Sequence, residues 1–169
     1  MKNVISFFSI ITFSSVFGIE SELGKLAPEF SLHDQDGSIH RLTDYRGKRL
    51  VIYFFPKADT PGWTKQACGF RDESKKFSEL NIAILGISYD SQKELKRFKN
   101  KYKIPFPLLS DEKKVVGVKY GVDRVFFTAR KTFLINEKGL LIHIINEVNL
   151  NSHPRDILSI FELVKSLNP

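Results

Sequence analysis

Short apolar runs alternate with amphipathic stretches along most of the chain. Residues 50–55 and 82–87 are almost continuously apolar, which is typical of strands that are buried on both faces. In the segments that follow them, residues 60–80 and 91–102, apolar positions recur near helical spacing with charged positions between. Strands that alternate with helices in this way predict an α/β fold.

Two hairpins frame this alternation. Asp36-Gly37 separates short alternating runs at residues 30–33 and 38–42, and Lys138-Gly139 separates the runs at 131–135 and 140–145. Three further elements are predicted: a short strand at 106–109, a short helix at 113–120 and a closing amphipathic helix at 156–167. Together these elements predict a mixed central sheet flanked by helices.

The first 18 residues differ from the rest in their pattern. Lys2 is followed by an uncharged run over residues 4–17, and polarity returns after Gly18. This pattern predicts a signal peptide over residues 1–18, a folded domain over residues 19–169, and export to the periplasm or the medium. The alternative is an N-terminal core strand or helix. The run is short for a membrane span, so we expect no stable membrane anchor.

Composition narrows the kinds of site that the chain can hold. A length of 169 residues with 42% hydrophobic residues suits one domain with its own core. The single cysteine excludes an intrachain disulfide and a thiolate cluster, and four dispersed histidines show no metal-ligand spacing. We therefore expect no metal and no cofactor.

The net charge of +7 raises the question of an anionic partner. The basic run at residues 93–103 fits the solvent face of a helix, and no aromatic platform is interleaved with a basic strand. There is also no glycine-rich phosphate loop. We expect no nucleic-acid binding.

The chemistry is expected where the first buried strand meets a helix, because α/β proteins place functional groups at the carboxyl ends of strands. Thr60 suits an N-cap and Pro61 the first helical position, which makes residue 63 the third. The pattern predicts an unpaired N–H there, facing the positive end of the helix dipole. A cysteine at that position would have a lowered pKa and be a good nucleophile for a peroxide oxygen. The residue is Trp63, whose indole supplies one N–H donor and no nucleophile.

Residues 55–72 (FPKADTPGWTKQACGFRD) closely resemble the active-site segment of peroxiredoxins of the bacterioferritin-comigratory, or Q, type. Residues 24–30, 84–88 and 130–135 extend the resemblance over essentially the whole predicted domain. The resemblance implies a thioredoxin-like fold and antioxidant reduction of a hydroperoxide substrate, with thioredoxin or another thiol as reductant. We expect a monomer or a weak dimer.

The resemblance further assigns roles to individual residues. It implies that Thr60 and Arg130 position the peroxide and that Pro56 shapes the loop. It places the attacking, peroxidatic cysteine at Trp63 and the resolving cysteine at Cys68. Arg124 is an alternative to Arg130, because residues 121–129 are the least family-like stretch.

Cys68 is a poor substitute for the missing nucleophile. Five residues along a helix correspond to about 140° of rotation and roughly 7.5 Å of rise, so Cys68 should face away from the Thr60 pocket. It also lies beyond the first turn, where the dipole effect fades. We expect a half-buried thiol of low peroxide reactivity, still able to form an intermolecular or mixed disulfide.

Three explanations for Trp63 stay open at the level of sequence. The chain is a non-peroxidase relative, a variant with a residual role for Cys68, or the product of a reading error, since Cys and Trp codons can differ by one base. The function predicted is that of a thioredoxin-dependent hydroperoxide reductase whose activity is in doubt at Trp63. The alternative is a catalytically silent thioredoxin-fold protein that binds a partner through the same face.

Overall fold

A computed structural model describes residues 23–124 and 126–167. The predicted signal peptide, residues 1–18, lies outside these ranges, as does the start of the predicted domain. Within them, no helix is both long and apolar enough to cross a lipid bilayer.

The described residues form seven strands and four helices, in close agreement with the predicted order. The strands are β1 (Ser31–Asp34), β2 (Ile39–Arg41), β3 (Arg49–Phe54), β4 (Ile82–Ser88), β5 (Leu108–Ser110), β6 (Lys131–Ile135) and β7 (Leu141–Ile145). The helices are α1 (Pro61–Glu79), α2 (Gln92–Tyr102), α3 (Val115–Lys119) and α4 (His153–Leu167). A 3-10 turn over Leu42–Tyr45 connects β2 to the approach to β3.

The strands form one mixed sheet in the order β2-β1-β5-β4-β3-β6-β7. The central strands β3, β4 and β5 are parallel, and the outer pairs are antiparallel. Both predicted hairpins are present, as β1–β2 and β6–β7. The predicted α/β architecture with a mixed central sheet is therefore confirmed.

Strand β3 divides the core into two layers, because successive side chains point to opposite faces of a sheet. Val51 and Tyr53 belong to the layer beneath α1, α2 and α4, whereas Leu50, Ile52 and Phe54 belong to the layer beneath α3. All five are essentially inaccessible to solvent. This arrangement explains why the strand is apolar at every position rather than at alternate ones.

Prolines account for two differences from the predicted boundaries. Strand β5 begins at Leu108 rather than at residue 106, since Pro105 and Pro107 cannot donate to the sheet, although the Pro107 carbonyl accepts from Gly86 N at 3.2 Å. Helix α4 begins at His153 rather than at residue 156, because Pro154 is tolerated in the first helical turn. Neither difference changes the topology.

Candidate functional site

The residues that follow β3 carry the chain from the sheet into α1, and we call residues 56–60 the site loop. Helix α1 begins at Pro61 with Thr60 as its N-cap residue, as predicted. The Thr60 hydroxyl nevertheless makes no capping bond to the helix and instead donates to the Lys57 carbonyl at 3.2 Å. The side chain therefore stabilises the site loop itself rather than the helix terminus.

The backbone N–H of Trp63 is paired. It donates to the Thr60 carbonyl at 3.0 Å, which the N–H of Thr64 also contacts at 2.9 Å. The prediction of an unpaired donor at this position is wrong, because a tight 3-10-type first turn supplies an acceptor three residues back.

The Trp63 side chain is part of the core. It is 5% exposed, and its ring centroid lies 5.8 Å from that of Phe55. An indole has one N–H donor and no group that can attack a peroxide. The position at which the family resemblance places a thiol thus holds a buried aromatic ring.

Arg130 covers the indole. Its Cζ atom lies 3.9 Å from the Trp63 ring centroid, within the range of a cation–π contact. The sheet brings the two residues together: Phe54, the last residue of β3, pairs with Lys131, the first of the antiparallel β6. Gly62 leaves room for the guanidinium, since a Cβ atom there would lie 3.0 Å from Arg130 Nη2.

The surroundings of Arg130 are low in negative charge. Burial lowers the pKa of the guanidinium, and among the described residues Arg130 has no carboxylate within ion-pair distance. A guanidinium stacked on a ring keeps its in-plane N–H groups available to an acceptor. Arg130 can therefore donate to a small polar ligand at the start of α1.

Arg124, the alternative to Arg130, lies elsewhere. It is exposed, in a turn closed by the Asp123–Thr128 bridge, and its Nη1 donates to the Asp123 carbonyl at 3.0 Å. The structure thus brings Arg130, and not Arg124, to Trp63.

Cys68 is half-buried and, unlike Trp63, is not one of the buried residues of the core layer beneath α1. Its surroundings are Tyr53 and Arg71: burial raises the pKa of the Tyr53 hydroxyl, and the negative charge of a Cys68 thiolate adds to that effect. The same charge helps to raise the pKa of Arg71, after the hydrogen bond from Arg71 to Asp72. A Cys68 thiolate thus contributes to the pKa of Tyr53 and of Arg71, whereas the pKa of Arg130 is lowered by burial.

Two buried polar residues near the site were not singled out from the sequence. Gln66, one turn after Trp63, is 1% exposed, and neither atom of its amide has a hydrogen-bond partner among the described residues. His153 lies within 3.0 Å of the Thr132 hydroxyl through Nε2. Burial lowers the pKa of His153 to about 4, and the charge of Arg130 contributes in the same direction. Only the polar residue Thr132 inside an apolar strand could have suggested this contact.

Two sizeable clefts of the structure are formed by residues other than these. In the part of the chain that the structure describes, no three His, Cys, Asp or Glu side chains are grouped as metal ligands. Two clefts, each of roughly 600 Å³ (about 630 and 620 Å³), lie elsewhere, one beside the end of α1 and one between β1 and α3. Pro56 is half-buried at the end of β3 and lines neither cleft.

The chain is similar in sequence to known proteins over most of its length. A sequence model of the AhpC/TSA family matches residues 23–144. A protein of Coxiella burnetii named "Putative peroxiredoxin bcp" is 41% identical over 145 residues, which cover 81% of this chain and 96% of that protein. "Peroxiredoxin Bcp" of Escherichia coli is 40% identical over 144 residues, covering 80% of this chain and 92% of its own length.

Solved structures agree with the sequence comparisons. The crystal structure of peroxidoxin BcpB from Mycobacterium tuberculosis superposes with a TM-score of 0.79 at 31% identity. The match covers 85% of this chain and 97% of that one. The arrangement of strands and helices around the site loop is therefore shared with proteins of known structure.

Proposed function

Because the chain belongs to the AhpC/TSA family of peroxiredoxins and is of the Bcp type, we propose that its scaffold serves thiol-dependent hydroperoxide reduction, and that Trp63 leaves this reaction without its nucleophile. The observation that carries the proposal is the buried indole of Trp63 beneath the Arg130 guanidinium, at 3.9 Å. On this view the chain as it stands reduces hydrogen peroxide hardly faster than buffer does.

The reaction shows why the substitution matters. A thiolate attacks one peroxide oxygen, the S–O bond forms as the O–O bond breaks, and the departing alkoxide or hydroxide takes up a proton. A reductant thiol then displaces water from the sulfenic acid to give a disulfide, and a second thiol reduces that disulfide. The first step needs a sulfur nucleophile, and an indole ring offers none.

The other site residues keep roles that suit this reaction. We propose that Arg130 donates hydrogen bonds to the peroxide once the indole is replaced, that the Thr60 hydroxyl turns from the Lys57 carbonyl to donate to the peroxide, and that Pro56 shapes the site loop. Support comes from the position of Arg130 at the start of α1 and from its lack of an ion pair among the described residues.

The direct test is peroxide consumption by the purified chain. With dithiothreitol or thioredoxin as reductant, we expect a rate close to that of buffer alone. Trp63→Cys should raise the rate by at least about a hundredfold, since loss of a catalytic nucleophile commonly costs several orders of magnitude. Trp63→Ser is the matched control, because it removes the ring without adding a thiol and should stay inactive.

Cys68 provides the outcome that would contradict the proposal. Rapid turnover by the unchanged chain, abolished in Cys68→Ser, would mean that the nucleophile has moved to Cys68. If Trp63→Cys gains nothing over Trp63→Ser while remaining folded, the remaining site has also lost its function, and a role in binding becomes the better explanation.

We also propose that the protein is exported, on the basis of the uncharged run at residues 4–17 after Lys2. An intact-mass measurement on protein from its native source tests the proposed cut after Gly18 and reports at the same time whether residue 63 is tryptophan. In an exported protein the reductant must be a thiol donor on the same side of the membrane, because cytosolic thioredoxin cannot reach it.

A further inference from the structure

The site loop is attached to helix α2 at both ends of that helix. The loop and α2 are separated by more than thirty residues in sequence, yet two carboxylates join them. One is Asp90, directly before α2, and the other is Asp59, within the loop itself. The two attachments are on adjacent loop residues, Ala58 and Asp59, directly before Thr60.

Asp90 provides the buried attachment. Its Oδ2 atom accepts the Ala58 N–H at 2.7 Å and the Ser88 hydroxyl at 2.9 Å, and the residue is 7% exposed. Its own carbonyl accepts the Ser110 hydroxyl at 2.7 Å. Hydrogen bonds from Ser88 of β4 and Ser110 of β5 thus orient Asp90, so that its Oδ2 atom accepts from the site loop.

The start of α2 adds to this orientation. Ser91 is the N-cap residue, and its hydroxyl and the Glu94 carboxylate form a capping box. Asp90 therefore directly precedes a helix end at which the Ser91 and Glu94 N–H groups are both paired. A displacement of Asp90 would disturb both the cap and the end of β4.

Asp59 provides the surface attachment. Its carboxylate accepts two hydrogen bonds from Lys101 Nζ, at 2.7 and 2.9 Å, and one from the Tyr102 hydroxyl at 2.7 Å. Its backbone has a φ of 61°, in the left-handed region. Glycine adopts this region freely, asparagine and aspartate adopt it less readily, and other residues adopt it rarely. The three contacts to the last turn of α2 hold this uncommon conformation.

We propose that Asp90 and Asp59 are positioning residues, which act through the backbone of the site loop to set the location of Thr60 and Trp63 relative to Arg130. That this location serves peroxide binding rests on the proposed function. That Asp90 and Asp59 set the location does not, because it can be measured without any peroxide.

The chemistry of Asp90 indicates what its replacement should do. The bond to Ala58 needs an acceptor oxygen, and it does not need a charge. Burial raises the pKa of the Asp90 carboxyl, against the hydrogen bonds from Ala58 and Ser88; Glu94 adds to the rise and Lys57 opposes it. An amide oxygen supplies the same acceptor without the desolvation of a charge, so asparagine should preserve the attachment.

The test uses Trp63 as its own reporter, since it is the single tryptophan of the chain. Asp90→Ala leaves the Ala58 N–H without its acceptor and should raise the acrylamide quenching constant at least about twofold, with an emission shift to longer wavelength. Asp90→Asn should keep the values of the unchanged protein. Asp59→Ala changes a surface side chain, so it should fold normally and raise the quenching constant by a smaller factor. It provides the test if Asp90→Ala proves insoluble.

Asp111→Ala is the matched control. Asp111 is another buried carboxylate that accepts a backbone N–H, from Gly117 of α3 at 2.7 Å. Its own backbone N–H is bonded to the Ser88 carbonyl, but its carboxylate bonds to α3 and not to the site loop. Equal quenching in Asp111→Ala and Asp90→Ala would mean general loosening and would overturn the proposal. So would unchanged quenching in both folded Asp90→Ala and Asp59→Ala.

An activity arm separates this proposal from the proposed function. In the Trp63→Cys background, Asp90→Ala should lower kcat/KM for hydrogen peroxide and Asp90→Asn should restore it. If Trp63→Cys is itself inactive, the proposed function fails while the fluorescence result still decides the role of Asp90. If Trp63→Cys is active and insensitive to Asp90→Ala, the positioning role is refuted and the proposed function stands.

Discussion

At the scale of single residues, Trp63 determines what the site can do. The ring is buried against Phe55 and covered by Arg130, so the substitution changes the chemistry of the site without leaving a hole in the core. A large aromatic residue that packs this well contributes to stability by the apolar area it buries. Trp63→Cys should therefore add a nucleophile and lower the free energy of unfolding, because it removes the apolar area that the ring buries.

The contact between Arg130 and Trp63 should be measurable in the stability of the chain. Arg130→Ala removes the guanidinium from the indole and should lower the free energy of unfolding by about 1 kcal/mol, the size of a partly buried cation–π contact. Urea unfolding followed by circular dichroism provides the measurement. The control is Arg124→Ala, an exposed arginine, for which we expect a change of less than about 0.5 kcal/mol.

Arg130→Lys sharpens this test. A lysine keeps the positive charge and loses the planar group that stacks on the ring. Full recovery of stability in Arg130→Lys would show that charge alone, and not the stacked geometry, stabilises the site.

At the scale of elements, the two long helices that begin near the site have different N-termini. Helix α2 has a capping box between Ser91 and Glu94. Helix α1 has Thr60 at the corresponding position, but the hydroxyl is turned to the Lys57 carbonyl. The same type of sequence signal, a hydroxyl residue before a helix, thus has two structural outcomes.

This difference predicts unequal effects of removing the two hydroxyls. Ser91→Ala should lower the free energy of unfolding by about 1 kcal/mol, which is typical for an N-cap side chain. Thr60→Ala should lower it by less than about half of that, because no capping bond is lost. Chemical unfolding of both variants decides the matter, and an effect of Thr60→Ala as large as that of Ser91→Ala would contradict the assignment.

The elements themselves follow closely from the sequence. Both faces of β3 are buried, which accounts for its continuous apolar run, and the Asp36-Gly37 turn joins β1 to β2 as expected. The prediction places Leu80 on the apolar face of α1. In the structure the helix ends at Glu79, and Leu80 follows it and is 36% exposed. Hydrophobic spacing identifies a helix face well, but it cannot show where the last turn loses its packing partner.

At the scale of the whole molecule, the sheet order decides which residues meet. Trp63 and Arg130 are far apart in sequence, and the antiparallel pairing of β3 with β6 places them together. The same pairing carries Thr132 to His153 at the start of α4. These contacts depend on strand order, for which the alternation of apolar and polar residues contains little information.

His153 should make the stability of the whole molecule depend on pH. Its pKa is lowered from 6.5 to about 4 by burial, so the unfolded chain binds a proton there more readily than the folded chain. The contribution of His153 is fully present above pH 6.5 and is lost as the pH falls toward 4, by about 3 kcal/mol at most. His153→Gln should lack this pH-dependent part of the unfolding free energy.

The measurement compares unfolding free energies of the two proteins across that range of pH. The carboxyls of Asp90 and Asp111, whose pKa values burial raises, act in the opposite direction in both proteins and cancel in the difference. A difference between the two proteins that does not change with pH would show that His153 is not buried in its neutral form.

The sequence by itself determined the class of fold, the order of nearly all elements, the family and the absence of a nucleophile at residue 63, because these depend on local patterning and on residue identity. The tertiary structure decided that Arg130 rather than Arg124 covers Trp63, that the Trp63 N–H is paired, and that Asp90 and Asp59 attach the site loop to α2. Each of these depends on the distance between residues remote in the chain, or on the direction in which one side chain turns, and both are set only when the sheet and the helices pack.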